Sequence, residues 1–319
     1  MVIGKFKRLM FAWPSITANY LHICAQNKTN WMVDYNPKSW WKLIFVFHRS
    51  DTFRQLLPAM LGISAYTAFV AYLEQAVFHT QFKNATIVHS LVGFVLSLLL
   101  VFRTNTAYER WWEGRKIWGA VVNNSRNLAL KLSVILDDEV TRERFRELIT
   151  NQVMAMKWHL RKGFNPDDFE DTDRHKMASF KESQHLPNAI MQALYEEVHE
   201  LFSQRKITGE QLLFLNPELQ SFTDNIGACE RIQKTPIPYA YSLFLKKVIF
   251  LYIFTMPIGF VAEFGYWCIG IIPLVFYAFA GIEIIAEEIE DPFGQDANDL
   301  PLNRISNTIR ENLKEIFSH

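Results

Sequence analysis

The stretch "SLVGFVLSLLLVFRTNTAYERWW", Ser90–Trp112, joins an uncharged apolar run to a run of charged and aromatic residues. A helix crosses the hydrocarbon of a bilayer with roughly 20 apolar residues, and Ile87–Phe102 approaches that length without a charge. Apolar and aromatic residues then recur at helical spacing from Asn105 to Leu136. The stretch therefore predicts a membrane-spanning helix followed by a helical segment outside the membrane.

Three further windows have the composition of membrane spans. Leu56–Leu73 and Trp267–Ile282 contain no charge, and Val248–Ala262 is also uncharged but shorter. The shorter window extends backwards through "PIPYAYSLFLKK" if Lys246 and Lys247 reach solvent or a polar partner. We therefore predict four spans.

The distribution of Lys and Arg predicts the orientation of these spans. The loop between the first two spans carries one Lys and the loop between the last two carries none, whereas Arg103–Thr235 is rich in both. Arg49 and Arg54 also precede the first span. Because cytoplasmic loops are enriched in Lys and Arg, we expect a multi-pass protein of the cell (inner) membrane with both termini in the cytoplasm.

The composition supports the membrane class. Half of the 319 residues are hydrophobic and 14% are aromatic, which is a large share for an aqueous protein. The net charge is zero and no basic face is evident, so nucleic acid is not expected as a partner. Cys24, Cys229 and Cys268 share no metal-ligand spacing and are interpreted as buried hydrophobic residues in a reducing compartment. The N-terminal "MVIGKFKRLMFAWPS" is too short for a signal peptide and predicts an interfacial or docking helix.

These patterns predict an all-α integral membrane protein whose four transmembrane helices are continuous with a cytosolic helical bundle. Pro236 and Pro238 mark a break before the third span, and Gly163–Gln184 is expected to be a polar loop. We divide the chain into an N-terminal segment, the first two spans with a neck, a cytosolic helical domain, the last two spans, and a C-terminal acidic loop with a helix: 1–50, 51–102, 103–235, 236–285 and 286–319.

The stretch "IEIIAEEIEDPFGQDANDLPLN", Ile282–Asn303, is strongly acidic, and no Lys or Arg occurs between Val248 and Asn303. A bound metal, a distant basic segment or solvation must prevent these charges from repelling one another. The carboxylates are those of Glu283, Glu287, Glu288, Glu290, Asp291, Asp296 and Asp299.

Motifs of common enzymes do not occur in the sequence. It contains no glycine-rich phosphate loop, His-Glu-x-x-His, Cys-x-x-Cys pair or nucleophile elbow, so we do not expect an enzyme. The nine histidines are scattered and are interpreted as ordinary polar residues rather than ligands. A secondary transporter would need ionisable groups at the membrane midplane, whereas Glu283 and Lys247 lie near helix ends. A membrane-anchored interaction protein remains a further class.

The second span carries a bulky stripe and two small residues. Phe94, Leu98 and Phe102 follow one another at intervals of four, and Gly93 and Ser97 would let a neighbouring helix approach closely. The span is apolar all round, so its periodicity cannot say which face meets lipid. The stripe either packs against protein or lipid, or it forms a hydrophobic gate, which would require a symmetric oligomer.

Three stretches resemble the bestrophins, most closely the bacterial homologues. They are "FRTNTAYERWWEGRKIWG", "ACERIQKTPIPYAYSLFL" and "AEEIEDPFGQDANDLPLNRISNTIRENL". The resemblance implies a homopentameric ion channel with one central pore, a neck lined by the second helix and a second constriction in the cytosolic part. Its expected partners are copies of itself, membrane lipid and permeant monovalent ions. Eukaryotic members are calcium-activated anion channels, and at least some bacterial relatives conduct monovalent cations.

Carried over by residue, the resemblance puts the neck at Phe94, Leu98 and Phe102. The cytosolic aperture aligns with Glu210 without gaps, and a shifted register would put Ile207 or Leu213 there. Five Glu side chains around one axis would attract cations, so we lean slightly toward cation (Na/K) selectivity, with a chloride or small-anion channel as the alternative.

The acidic stretch matches the calcium clasp of the eukaryotic members. The matching side chains are those of Glu288, Asp291, Asp296 and Asp299, and hard oxygen ligands at loop spacing suit calcium. No cofactor is expected to be required, and calcium is the ion that the resemblance associates with this loop. The alternative is a solvated acidic cap that pairs with basic helices of the cytosolic part.

Overall fold

A computed structural model describes residues 51–78, 85–180 and 183–318 of the chain. The predicted N-terminal segment 1–50, with its interfacial helix and Cys24, lies outside the described residues. Within the described ranges the elements are helices joined by turns, and no strand occurs. This confirms the all-α class.

The helices are numbered in chain order. Nine α-helices occur in the described residues: α1 Asp51–Tyr72, α2 Ala85–Ile135, α3 Glu139–Leu160, α4 Met177–Phe180, α5 Leu186–Ser203, α6 Gly209–Lys234, α7 Tyr239–Phe264, α8 Cys268–Glu290 and α9 Leu302–Phe317.

Three helical stretches of the described residues are long and apolar enough to cross a membrane. They are Thr52–Ala76, Thr86–Ile135 and Tyr239–Glu290. The last stretch contains both α7 and α8, which a 3-10 turn at Gly265–Trp267 separates. Gly265 has a φ of 54°, in the left-handed region that favours glycine. Because this turn reverses the chain, the stretch can supply the last two of the four predicted spans.

The membrane-capable helices pack as an antiparallel set. The Thr86 hydroxyl, at the start of α2, donates to Glu263 near the end of α7. The Tyr241 hydroxyl, near the start of α7, donates to the Leu99 carbonyl further along α2. The Ser64 hydroxyl likewise donates from α1 to a carbonyl of α8. An apolar core lies between these helices; its buried members include Leu96, Leu100, Leu245, Ile249, Cys268 and Ile272.

Helix α2 connects the membrane-capable helices to a second helical part, which α3, α5, α6 and α9 form with the end of α2. It has 51 residues, which corresponds to about 75 Å of helix. Its first half packs on α7 and α8, and its second half packs on α6 and α9. The predicted boundary between 102 and 103 therefore falls inside one helix, so the two parts share an element.

The second helical part has its own apolar core between α2, α3, α5, α6 and α9. Trp118, Phe145, Phe222 and Cys229 are fully buried there. Cys229 and Cys268 are both free and buried, as the sequence predicted. The break at Pro236 and Pro238 is also confirmed, because α6 ends at Lys234 and α7 begins at Tyr239.

Candidate functional site

The predicted neck residues lie on one exposed face of α2. Phe94, Leu98 and Phe102 are 68%, 46% and 56% exposed, whereas Leu96 and Leu100 between them are buried. Two residues along an α-helix correspond to a rotation of about 200°. The stripe therefore lies opposite the face that packs on α7 and α8, and it is free to contact another chain, lipid or a pore.

Gly93 lies on the packed face, where α7 crosses α2. A Cβ atom on Gly93 would lie 2.7 Å from the hydroxyl oxygen of Tyr252. This confirms that Gly93 allows a close approach. Ser97 does not share the contact: it is exposed, and its hydroxyl donates to the Gly93 carbonyl.

Arg103 follows the last neck residue and points into the protein. Its Nη2 lies 2.7 Å from Glu290 Oε2, and its Nε lies 3.5 Å from Glu283 Oε2. Lys246 of α7 lies 2.8 Å from Glu287. The sequence left a bound metal, a distant basic segment and solvation as alternatives for the acidic stretch. In the structure, cations from α2 and α7, far away along the chain, pair with three of its members.

Arg110 lies two turns further along α2 and joins three helix ends. Its Nε donates to the Glu290 carbonyl at 3.1 Å, and its Nη atoms donate to the carbonyls of Ile232 and Thr235. Glu290 Oε1 also accepts from the backbone N–H of Ile237 at 2.7 Å. The ends of α6 and α8 and the start of α7 are thus held against α2.

The Pro-Phe-Gly of the acidic loop inserts between helices. Phe293 is fully buried, and a Cβ atom on Gly114 of α2 would lie 3.1 Å from its ring. The indole N–H of Trp111 donates to the Asn298 carbonyl at 2.9 Å. The loop is therefore docked on α2 by an aromatic side chain and by hydrogen bonds, in addition to the ion pairs.

The four candidate calcium ligands differ in their surroundings. Asp299 is buried, and its Oδ2 accepts from the Asp296 N–H at 2.6 Å while its Oδ1 has no hydrogen-bond partner. Burial raises the pKa of Asp299 to about 7, although the Asp296 N–H opposes this shift. Glu288 accepts from Asn298 at 2.6 Å, and Asp291 and Asp296 are exposed.

This arrangement partly suits calcium. The unpartnered, buried Oδ1 of Asp299 is an oxygen that a hard cation could bind. However, the four carboxylates do not gather three ligand atoms within 4.8 Å of one another in the described part of the chain. A calcium ion would therefore have to draw Asp291 and Asp296 toward Asp299.

The predicted aperture residues lie at the far end of the second helical part. Glu210 is exposed in the first turn of α6, where its own backbone N–H and the Thr208 hydroxyl hold its pKa below the usual range. Leu213 is also exposed, whereas Ile207 is 3% exposed and belongs to the core. The Ile207 alternative is therefore wrong, because a side chain inside the core cannot line a pore.

The start of α6 is distant from the neck. Lys131 of α2 donates to the Phe214 carbonyl at 2.8 Å and pairs with Glu218 at 2.7 Å. About 44 Å of helix separates Phe102 from Lys131. A neck at Phe102 and an aperture at the start of α6 would thus be two constrictions in series.

Arg103, Arg110 and Trp111 were not predicted as site residues. The sequence does show that Arg103 and Arg110 lie seven residues apart and therefore on one face of a helix. It does not show what they bind, because Glu290 and Asn298, the partners of Arg110 and Trp111, lie 180 residues or more away along the chain.

Comparisons with known proteins agree on one family. The family model described as "Bacterial/Fungal Bestrophin protein" matches residues 31–315. A voltage-dependent anion channel-forming protein of Nostoc sp. is 38% identical over 232 residues, which are 71% of this chain and 76% of that protein. A protein of the same description from Synechocystis sp. is 36% identical over 233 residues, or 70% of this chain and 75% of the relative.

The fold is similar to that of solved structures as well. A crystal structure of a bacterial bestrophin homolog from Klebsiella pneumoniae, carrying a point substitution, superposes with a TM-score of 0.75 at 27% sequence identity. The match covers 83% of this chain and 100% of that chain.

Proposed function

The chain belongs to the bacterial and fungal bestrophin family, and on that premise we propose that five copies form a passive ion channel whose neck is lined by Phe94, Leu98 and Phe102. The observation that carries the proposal is the exposure of these three side chains on the face of α2 opposite the core. Apolar side chains at a narrow axis gate by excluding water. Because the neck helix packs against the rest of its own chain on one face only, the stripe is free to face a common axis.

Oligomerisation follows from the size of the membrane part. The membrane-capable helices of one chain pack around an apolar core, and four spans are too few to enclose an aqueous path within one subunit. A pore therefore has to lie between chains, and cyclic symmetry would put the same face of α2 at the axis in each copy. The protein is proposed to span the cell membrane four times, with both termini in the cytoplasm and its outer helices in contact with lipid.

For selectivity we propose a preference for monovalent cations. An apolar neck discriminates by size and dehydration and does not set the sign of the ion. The exposed Glu210 is ionised at neutral pH, and a ring of such residues would concentrate cations at the aperture. The competing candidate is an anion channel, which the names of the relatives from Nostoc sp. and Synechocystis sp. favour.

Planar-bilayer recording of the purified protein tests the proposal. We expect a passive current, and in asymmetric NaCl a reversal potential on the sodium side of zero. Leu98→Ala should increase the single-channel current, because a smaller side chain lowers the barrier to wetting. Leu61→Ala is the matched control: Leu61 is a similarly exposed apolar residue of α1, and its loss should leave the current unchanged.

Two outcomes would contradict this proposal at different levels. A reversal at the chloride equilibrium potential would replace the cation preference by the anion alternative and leave the channel intact. Silence across voltage, salt and calcium from confirmed pentamers would reject the channel itself.

The proposal includes calcium at the acidic loop as a regulator. Asp299 offers a free buried oxygen, and the loop is docked on the neck helix. We expect calcium to raise the unfolding temperature of the wild type and to have a smaller effect on Asp296→Ala. Equal shifts in the two proteins would favour the alternative, an acidic cap held by cations of α2 and α7.

A further inference from the structure

Three side chains from separate elements of the second helical part contact one another, away from the predicted neck and the acidic loop. His159 lies near the end of α3, His185 precedes α5, and Glu230 lies in the last turns of α6. The Nε2 atoms of His159 and His185 lie 2.8 Å and 2.6 Å from the same oxygen, Glu230 Oε1. The two ring centroids are 4.3 Å apart.

These donors form a group with the spacing of metal ligands. All three ligand atoms lie within 4.8 Å of one another, and among the described residues no other group of three His, Cys, Asp or Glu does so. Each residue is partly buried, so the group lies in a recess that solvent can reach. The histidines are scattered in the sequence and were expected to be ordinary polar residues, but the fold brings two of them together.

We propose that His159, His185 and Glu230 form a binding site for a divalent transition metal of the zinc class. Two imidazole nitrogens and one carboxylate oxygen, with a fourth position for water, are a common zinc donor set. Zinc–ligand bonds of about 2.0–2.2 Å at tetrahedral angles separate the donors by about 3.3 Å. The donors therefore have to move apart by roughly half an ångström, which side-chain rotation can supply.

A metal would have to displace the hydrogen bonds that Glu230 accepts. Its Oε1 accepts from both imidazoles, and its Oε2 accepts from Lys234. Lys234, which faces Glu230 Oε2, is largely exposed and can turn away into solvent.

His185 has a second role that links the site to a helix end. Its Nδ1 accepts from the backbone N–H of Asn188 at 3.1 Å and so caps α5. In the metal-free protein the proton of neutral His185 is therefore on Nε2, directed at Glu230. A metal at Nε2 would shift that proton to Nδ1 and end the cap hydrogen bond, so the Asn188 amide reports directly on metal binding.

The position of the site gives a bound metal a mechanical consequence. Glu230 lies one turn before the end of α6, next to Arg231, which pairs with Glu113 of α2 at 2.8 Å. Two residues further on, the Ile232 carbonyl accepts from Arg110. A metal that ties α6 to α3 and to the segment before α5 would stiffen the joint that holds α2 just inside the neck.

Zinc titration of the full-length protein in detergent, after removal of metals by a chelator, tests this inference. We expect one site per chain by calorimetry, a higher unfolding temperature with Zn²⁺, and at least a tenfold loss of affinity in His159→Gln, His185→Asn and Glu230→Gln. Asn is a preferred N-cap, so His185→Asn removes the ligand and retains the cap. His199→Gln is the matched control, because His199 is an exposed histidine of α5 outside the group.

Hydrogen exchange provides a readout that a merely structural role would not produce. Zn²⁺ should accelerate exchange at the start of α5 in the wild type and leave it unchanged in His185→Asn. The inference is overturned if the three ligand variants bind Zn²⁺ as tightly as His199→Gln, or if Zn²⁺ leaves exchange at the start of α5 unaltered. Neither outcome depends on ion conduction, so this test is separate from that of the proposed function.

Discussion

Arg103→Gln is expected to lower the free energy of unfolding by about 3–5 kcal/mol, because it leaves buried carboxylates without their cation. The Arg103 side chain is 1% exposed, and those of its partners Glu283 and Glu290 are 4% and 13% exposed. At an effective dielectric constant of 20, unit charges 3.5 Å apart attract by about 5 kcal/mol. Part of that attraction is offset in the wild type by the desolvation of the arginine.

Protonation of a carboxylate left unpaired by Arg103→Gln limits the loss in the free energy of unfolding. Neutralising a carboxyl group of ordinary pKa at pH 7 costs about 4 kcal/mol, and at pH 5 it costs about 1 kcal/mol. If the loss arises from an uncompensated buried charge, the destabilisation by Arg103→Gln should therefore be clearly smaller at pH 5. The double variant Arg103→Gln with Glu283→Gln should recover about 1–3 kcal/mol relative to Arg103→Gln alone.

Denaturant unfolding of the purified protein in detergent, followed by near-ultraviolet circular dichroism, measures these differences. Lys246→Gln is the control, because the Lys246–Glu287 pair has similar geometry but both side chains are about half exposed. An exposed pair contributes about 1 kcal/mol or less. Equal losses in Arg103→Gln and Lys246→Gln, or a loss that is the same at pH 5 and pH 7, would refute the argument that burial sets the cost.

Two further substitutions test other parts of the structure. Gly93→Ala should destabilise by about 1–3 kcal/mol, because its Cβ would lie 2.7 Å from the Tyr252 hydroxyl oxygen; adding Tyr252→Phe should restore most of the loss, and no rescue would mean that the clash is elsewhere. Glu147→Gln should raise the unfolding temperature at pH 8 but not at pH 4, because burial raises the pKa of Glu147 to about 7 despite Arg146. The ionised carboxylate destabilises the fold increasingly as the pH rises from about 4.5 through 7, so equal shifts at both pH values would contradict this origin.

Some of the fold was predictable because the responsible signals are local. Proline removes a backbone donor wherever it occurs, so the break at Pro236 and Pro238 required no tertiary information. Lys246 and Lys247 interrupt the apolar run of α7, and the expectation that such a lysine meets a polar partner is confirmed by the Lys246–Glu287 pair. Gly93 predicted a close helix contact, because a residue without a side chain lets a neighbouring backbone approach wherever it occurs.

Other features depend on contacts that no local pattern contains. Periodicity identifies a buried face only when the two faces of a helix differ in polarity, and the membrane part of α2 is apolar all round. The packed face of α2 is set by α7 and α8, which lie more than a hundred residues later in the chain. The group of His159, His185 and Glu230 likewise comes from three elements that meet only in the folded protein.

The acidic stretch and the predicted neck residues belong to one mechanical unit, because consecutive residues of α2 serve both. Phe102 is directed away from the core and Arg103 into it, where it binds Glu283 and Glu290. Gly114, three turns further along the same helix, receives Phe293. A displacement of the acidic loop relative to α2 would have to break buried ion pairs and expose an aromatic side chain, so the lower-energy motion carries the neck helix with the loop. Glu283 and Glu290, which have no cation in their own segment, thus hold α2, the helix that carries Phe94, Leu98 and Phe102, in place.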